Sequence, residues 1–277
     1  MPIEIGLEMY AEKEVLLPLF TGHVSRGLVL HVLQQVDPRV SQSLHEPNVM
    51  KPFSVTPLQF KSRAKTSAGY LLDPTCPCRV RFRFLKDEYA NYVIDYFRQK
   101  NTLTIIDTTF QIASLAIKSK DYLEMERDAE PVDAFQLYFK TPTYLASLGT
   151  SFHCLWPEPT KIFPNLMRLW NTYTTAEKYG KEEYVEYKEW LAKNLGVAEH
   201  ELETRLVYMG RKKATGFIGW ATYEMNAKDE WNKATYVLAR FAEYSNIGGN
   251  KTGGFGVTKF VAKTIKPPSR SKMLGQK

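Results

Sequence analysis

Six consecutive residues constrain the fold most. Arg79-Val80-Arg81-Phe82-Arg83-Phe84 alternates basic and apolar side chains without a break. Neighbouring side chains of an extended strand leave on opposite faces, so this run buries one face and lines the other with guanidinium groups. Such a strand belongs to a sheet covered on one side only, and the surrounding elements agree. Residues 3–9 repeat the period of two with Ile3, Ile5, Leu7 and Met9. A helix follows, N-capped by Ser25, with Leu28, Val29, Val32, Leu33 and Val36 at helical spacing until Asp37-Pro38 ends it. Residues 51–58 read as a strand with prolines near both ends, 87–100 as a helix, and the β-branched run 103–112 as a strand. The order strand, helix, strand, strand, helix, strand is that of a ferredoxin-like unit.

The acidic, proline-containing stretch 121–133 resembles a linker, and after it the same order is legible again. Residues 134–140 form the first strand, 163–194 hold helical segments, Leu206 and 217–224 mark two strands, 230–244 is a helix, and 254–261 is the closing strand. The expectation is an α+β chain of two tandem ferredoxin-like βαββαβ domains, over 1–125 and 126–277, with a cleft between them. Related RNA-recognition units use the sheet face that their helices leave open, but the layout alone does not select a function.

Charge narrows the choice. The chain carries 37 Lys and Arg against 30 Asp and Glu, and the excess lies at one end, because residues 251–277 hold seven basic side chains and no acidic one. A basic end beside a neutral body suits a polyanion, nucleic acid being the commonest, or else is a solvated tail. No apolar run is long enough for a membrane helix, and the N-terminus lacks a leader pattern. No membrane association is expected, and the cytoplasm is the expected compartment. Cys76, Cys78 and Cys154 make an odd number, which argues against a disulfide framework, and their spacing does not match a zinc knuckle. No metal and no cofactor are expected.

The densest local signal is Asn246-Ile-Gly248-Gly249-Asn-Lys251-Thr-Gly253-Gly254-Phe-Gly256. Glycines allow positive φ and let successive N–H groups face a phosphate, with Lys251 adding charge. It is not a P-loop, since Ser245 and Asn250 stand where glycines are required. Nor is it a dinucleotide fingerprint, since it follows a helix and precedes a strand. A plain turn is the alternative. Arg211-Lys212-Lys213, with Arg205 before it, sits between two predicted strands as a finger that grips a backbone or as a solvated loop.

These residues resemble a family. The segment from Leu17 to Pro57, with its helix after Gly22-His23 and then Leu44-His45-Glu46 and Lys51-Pro52-Phe53, is similar to the CRISPR-associated endoribonucleases that cut repeat RNA. Gly216-Phe-Ile-Gly219-Trp220, residues 239–244, and the run from Ile247 to Gly256 look like the glycine-rich signature of the repeat-associated superfamily. The resemblance implies two ferredoxin-like domains and metal-free cleavage of the CRISPR precursor transcript within each repeat. The ends it implies are a 5′-hydroxyl and a 2′,3′-cyclic phosphate. Repeat RNA is the implied partner, with other CRISPR effector subunits and a homodimer both open.

Such cleavage needs the 2′-hydroxyl deprotonated, the leaving oxygen protonated, and the pentacoordinate phosphate stabilised by positive charge. His45 and Lys51 flank a segment that Pro47 and Asn48 bias toward a turn, and a turn can bring both side chains to one phosphate. By resemblance they match the family's catalytic histidine and nearby lysine; otherwise His45 is a surface histidine after the helix. Some relatives carry a helical tyrosine where Leu30 stands here. His31 beside it is then a third catalytic candidate, or merely borders the buried face, and His23 is a further one. Arg26 is placed to hold a phosphate or to pair with a glutamate. The RNA-binding set is Arg26, Arg211, Lys212, Lys213, Gly248, Gly249, Lys251, Gly253, Gly254 and Gly256. Phe82, Phe84, Trp220 and Tyr223 stack bases or fill cores. The alternative to an enzyme is a repeat-binding subunit that does not cut.

Overall fold

The computed structural model describes residues 1–44, 46, 49–147, 149–210 and 212–263. The first unit comprises β1 (Ile3–Ala11), β2 (Leu16–Leu17), α1 (Gly22–Val36), α2 (Pro38–Ser43), β3 (Phe53–Val55), β4 (Ser62–Lys65), β5 (Tyr70–Leu72), β6 (Cys78–Phe84), α3 (Asp87–Gln99), β7 (Thr102–Ile105) and β8 (Thr108–Ser119). Helix α4 (Tyr122–Arg127) leads to the second, with β9 (Ala134–Thr143), α5 (Pro159–Tyr173), α6 (Lys181–Asn194), β10 (Leu195–Met209), β11 (Lys212–Met225), α7 (Glu230–Ser245) and β12 (Thr258–Lys263).

The main sheets are antiparallel and ordered β3-β6-β1-β8-β7 and β10-β11-β9-β12. Numbered within each βαββαβ unit, both read second, third, first, fourth strand, so the chain has two ferredoxin-like units, with β7 added as an edge hairpin. Alternation explains the layering of the first. Val80, Phe82 and Phe84 are buried with Ile3, Ile5, Leu7 and Met9 under α1 and α3, while Arg79 and Arg81 leave on the opposite, open face. The second core is built around Trp170, Phe135, Phe139, Phe163, Phe217 and Phe241. Fully burying one such ring contributes about 1.5–3 kcal/mol.

Several sequence expectations need correction. Helix α1 begins earlier, after Thr21, whose hydroxyl accepts from the Leu58 N–H at 2.8 Å, whereas Ser25 is fully buried inside the helix and donates back to the Thr21 carbonyl. The run 103–112 is not one strand but the β7–β8 hairpin, turned at Ile106 with a φ of 59°. The stretch 121–133 holds α4, whose Tyr122 and Met125 are buried in the second core. Gly254 belongs to a loop, and the closing strand starts at Thr258. Strands β2, β5 and β4 form a separate three-stranded sheet that the periodicity did not reveal.

The units are joined by buried polar contacts. Asn246, fully buried with a φ of 57°, accepts from Arg83 Nη1 at 2.9 Å and donates from Nδ2 to the carbonyls of Val55 and Phe255. Ser54 Oγ donates to the Tyr244 carbonyl at 2.8 Å, and Tyr122 donates to that of Leu85 at 2.7 Å. A buried polar group left unpartnered costs about 1–3 kcal/mol, so these bonds fix the docking of one unit on the other. No described helix is long and apolar enough to cross a membrane.

Candidate nucleic-acid interface

The open face of the first sheet is the basic surface that the Arg79–Phe84 alternation promised, and its charge is largely cancelled by the neighbouring strand. Glu8 sits opposite Arg79 in register, and their side chains meet at 2.6 Å; Glu4 takes Arg83 at 2.7 Å and Arg81 at 3.5 Å. This face borders a cleft of about 730 Å³ between the units, where Arg81, Lys118, Lys140 and Lys259 share the walls with Glu4 and Glu243. Burial pushes the Glu243 carboxyl above its ordinary range.

A different surface forms where α1, the segment before β3, the end of α5 and the glycine-rich loop come together. Gly22 opens α1 against the loop: a Cβ there would lie 1.9 Å from the Gly253 carbonyl oxygen, so only glycine permits this approach. Arg26 lies one turn further along α1. Lys51 precedes β3, and its ammonium donates to the Glu46 carbonyl. Tyr173 donates to the Met50 carbonyl, and Thr172 Oγ1 lies 3.9 Å from the Met50 sulfur, so the last turn of α5 holds the residue next to Lys51. Arg168, one turn earlier on that helix, lies within electrostatic reach of Lys251.

Electrostatics sets these groups apart. Among the described residues, Arg26, Lys51, Arg168 and Lys251 enter no ion pair, although surface pairs are frequent elsewhere. Burial and then the positive charge of Arg26 lower the pKa of Lys51, against a smaller opposing effect of Glu46. Burial, and after it Arg168, pull the Lys251 ammonium down to about 7. Cations brought together without ion-pair partners repel one another, and a bound polyanion relieves that cost.

The remaining candidate residues fall in several places. His45 and Arg211 lie outside the described residues. Lys212 and Lys213 open β11 at the tip of the long β10–β11 hairpin, and Met209, paired with Lys212, accepts from Asn250 of the glycine-rich loop at 3.4 Å. His31 is exposed on the stripe of α1 that also carries His23 and Gly27. Five residues from Arg26, it points about 140° away around the helix. The structure therefore does not bring His31 onto the side of Arg26, while His23, three residues from Arg26, lies nearer to that side.

Four of the loop's glycines turn their N–H groups inward. The N–H groups of Gly249, Gly253, Gly254 and Gly256 donate to the carbonyls of Tyr144, Asn250, Lys251 and Pro142, so they are spent inside the protein rather than aimed at a phosphate. Gly256, at a φ of 65°, packs so closely on Ile247 that a Cβ would fall 1.7 Å from its carbonyl oxygen. The loop is thus a tightly packed connector, and Lys251 is its charged member. Phe82, Phe84 and Tyr223 are core, and Trp220 is half-buried.

Comparison with known proteins agrees with this architecture. A family model for the CRISPR Cas6 N-terminal domain matches residues 1–82, and one for CRISPR-associated endoribonuclease Cas6 matches residues 137–258. A CRISPR-associated endoribonuclease Cas6 of Streptococcus thermophilus is 25% identical over 137 residues, which is 50% of this chain and about half of that relative, 54%. Among solved structures, a Cas6 product complex superposes with a TM-score of 0.78 at 22% identity, covering 94% of this chain and 100% of that one. Thermus thermophilus Cas6 gives 0.69 at 23%, covering 94% and 98%. A protein described as Cas6-related from Pyrococcus furiosus gives 0.62 at 10%, covering 95% and 100%. The structural likenesses concern the fold, and the two family models fall one on each ferredoxin-like unit. With the element order, the sheet order and both models in agreement, the chain belongs to the CRISPR-associated Cas6 family.

Proposed function

We propose that this protein is a metal-independent endoribonuclease that cuts CRISPR precursor RNA within its repeats, leaving a 2′,3′-cyclic phosphate and a 5′-hydroxyl. The observation that carries this reading is the convergence of Arg26, Lys51, Arg168 and Lys251, all without ion-pair partners among the described residues, where the two units meet. In this reading His45 moves a proton to or from the ribose 2′-hydroxyl or the leaving 5′-oxygen, since imidazole titrates near neutrality. Lys51 stabilises the charge that builds on the pentacoordinate phosphate. Arg26 and Lys251 hold the backbone on either side, and Lys212 and Lys213 add contacts from the hairpin tip.

Leu30 favours a second reading. Its aliphatic side chain supplies neither an acid nor a base, it is half-buried with its carbonyl accepting from Ser41 Oγ at 3.1 Å, and His31 does not share the side of Arg26. A protein short of one proton-transfer group grips repeat RNA without cutting it. Incubation of repeat RNA with the protein in chelator separates the two readings. The nuclease gives a product that persists in chelator and is lost with a 2′-deoxy nucleotide at the cut or with His45→Ala. Tight binding with no product under any of these conditions overturns the nuclease and leaves the binding subunit.

A further inference from the structure

Lys51 sits between two backbone anchors that come from different units. On its C-terminal side the Pro52 carbonyl accepts from the Leu85 N–H at 2.7 Å, just past β6 of its own unit. On its N-terminal side the Met50 carbonyl accepts from the Tyr173 hydroxyl, at the end of α5 in the second unit. The ammonium donates to the Glu46 carbonyl, so the side chain is tied to the same short segment as the backbone that carries it.

Both anchors lead back to the second core. The Leu85 carbonyl accepts from Tyr122 at 2.7 Å, and Tyr122 packs edge-on against Trp170 of α5 at 4.9 Å. Tyr173 follows Trp170 by less than one turn and is buried. The end of α5 is itself fixed, because Trp170 Nε1 donates to the Glu177 carbonyl at 3.2 Å and Asn171 exchanges hydrogen bonds with the Tyr179 backbone at 2.7 and 3.0 Å. Burial, and after it Tyr89, push the Tyr173 phenol up to about 12, so the hydroxyl stays a donor throughout the neutral range.

A phenylalanine at 173 would fill the same space in the core. What the hydroxyl adds is a grip on the backbone beside Lys51, and among the described residues it makes no other hydrogen bond. A donor held on a rigid element selects one position for the group it grips. A shift of about 1 Å in a group that meets the reacting phosphate is enough to slow a reaction by about a hundredfold. We propose that Tyr173 is a positioning residue, which fixes the backbone at Met50 from across the boundary between the units and so sets where the Lys51 ammonium meets the scissile phosphate. This rests on the nuclease reading above, and it makes cleavage rather than binding depend on α5.

The test uses the full-length protein and two measurements on each variant. Affinity is read with repeat RNA carrying a 2′-deoxy nucleotide at the cut, and the single-turnover rate is read with cleavable repeat at saturating protein. Tyr173→Phe should slow cleavage by about tenfold while affinity stays within about twofold, since the ring and the docking of the units survive. The same substitution made in Lys51→Ala should change the residual rate less than about twofold, because the group it positions is gone. If wild type cuts and Tyr173→Phe cuts equally fast, the positioning role is overturned while the nuclease reading stands. A parallel fall in affinity and rate, together with a lowered melting temperature, overturns it too and leaves Tyr173 as a docking contact only. A full loss on top of Lys51→Ala overturns it as well, since the hydroxyl would then act on something other than Lys51. If wild type binds the repeat and never cuts it, the nuclease reading falls first and the positioning role with it.

Discussion

The open face of the first sheet and the junction beside the glycine-rich loop are both rich in basic residues, and they differ in what surrounds the charge. On the sheet face, strand register sets Glu4 and Glu8 of β1 against Arg83 and Arg79 of β6, so the cations that dominate the sequence pattern are matched within the sheet. At the junction, Arg26, Lys51, Arg168 and Lys251 come from four separate segments and enter no ion pair among the described residues, Glu46 acting on Lys51 only as a smaller opposing charge. The number of basic residues in a run therefore says little about where a polyanion sits. What counts is whether folding leaves them uncompensated.

The largest test of this contrast is catalytic. Lys51→Ala should lower the single-turnover rate of repeat cleavage by about a hundredfold or more, the scale for losing a charged group at the reacting phosphate. Arg79→Ala, on the sheet face, should change the same rate less than about twofold, since Arg79 is already satisfied by Glu8. Equal losses in both variants would erase the distinction between paired and unpaired cations.

Next in size is the bond that holds the two regions in place. Asn246→Ala removes the acceptor of Arg83 and the donor to Val55 and Phe255 in a fully buried setting. The expected loss is about 2–4 kcal/mol in urea denaturation, because a charged guanidinium is left short of a partner. Asn246→Asp restores the acceptor but not the donors, so it should fall between wild type and alanine. A loss of under about 1 kcal/mol in Asn246→Ala would mean that the clamp is not what docks the units.

The junction should also show in pH dependence. The folded-state pKa of Lys251 lies near 7, below the 10.5 of an unperturbed lysine, so folding disfavours its charged form. That penalty is absent above the unfolded value, grows as pH falls from about 10 towards 7, and levels off below the folded value. Wild-type stability relative to Lys251→Met should fall across that window. Bound RNA favours the charged form, so it should blunt the fall. A flat difference between the two proteins would show that Lys251 is not buried against Arg168.

Much of the architecture was legible because alternation at 79–84 and helical spacing at 28–36 are strong periodic signals, whereas turns without glycine or proline are silent. Ile106 turns the β7–β8 hairpin inside a β-branched run, which is why 103–112 read as one strand. Helix α4 is six residues long, too short for its period to stand out from an acidic stretch. At the interface, the glycine-rich loop was conspicuous, but a sequence does not say which N–H groups find carbonyls at home, as those of Gly249, Gly253, Gly254 and Gly256 do. Arg168 looked like any solvated helical charge. Asn246 carried a usable sign: asparagine is among the residues that most readily take a positive φ, as it does here just past the helix at 57°.

The smallest expected effect closes the comparison from the other side. The Arg79–Glu8 pair is short, 2.6 Å, yet the arginine side chain is 56% exposed, and an exposed pair contributes about 0.5 kcal/mol after screening and side-chain entropy. Glu8→Gln should therefore barely move the denaturation midpoint. It also releases one guanidinium on the open face, turning a compensated cation into an uncompensated one without altering the fold. If uncompensated charge is what attracts RNA, Glu8→Gln should raise affinity for any RNA slightly and steepen its salt dependence by about one ion. Its effect on cleavage should be negligible, because Arg79 lies on the sheet rather than beside Lys51. An affinity that stays unchanged at low salt would mean that the face is shielded by more than Glu8, and that the two basic regions differ in access as well as in pairing.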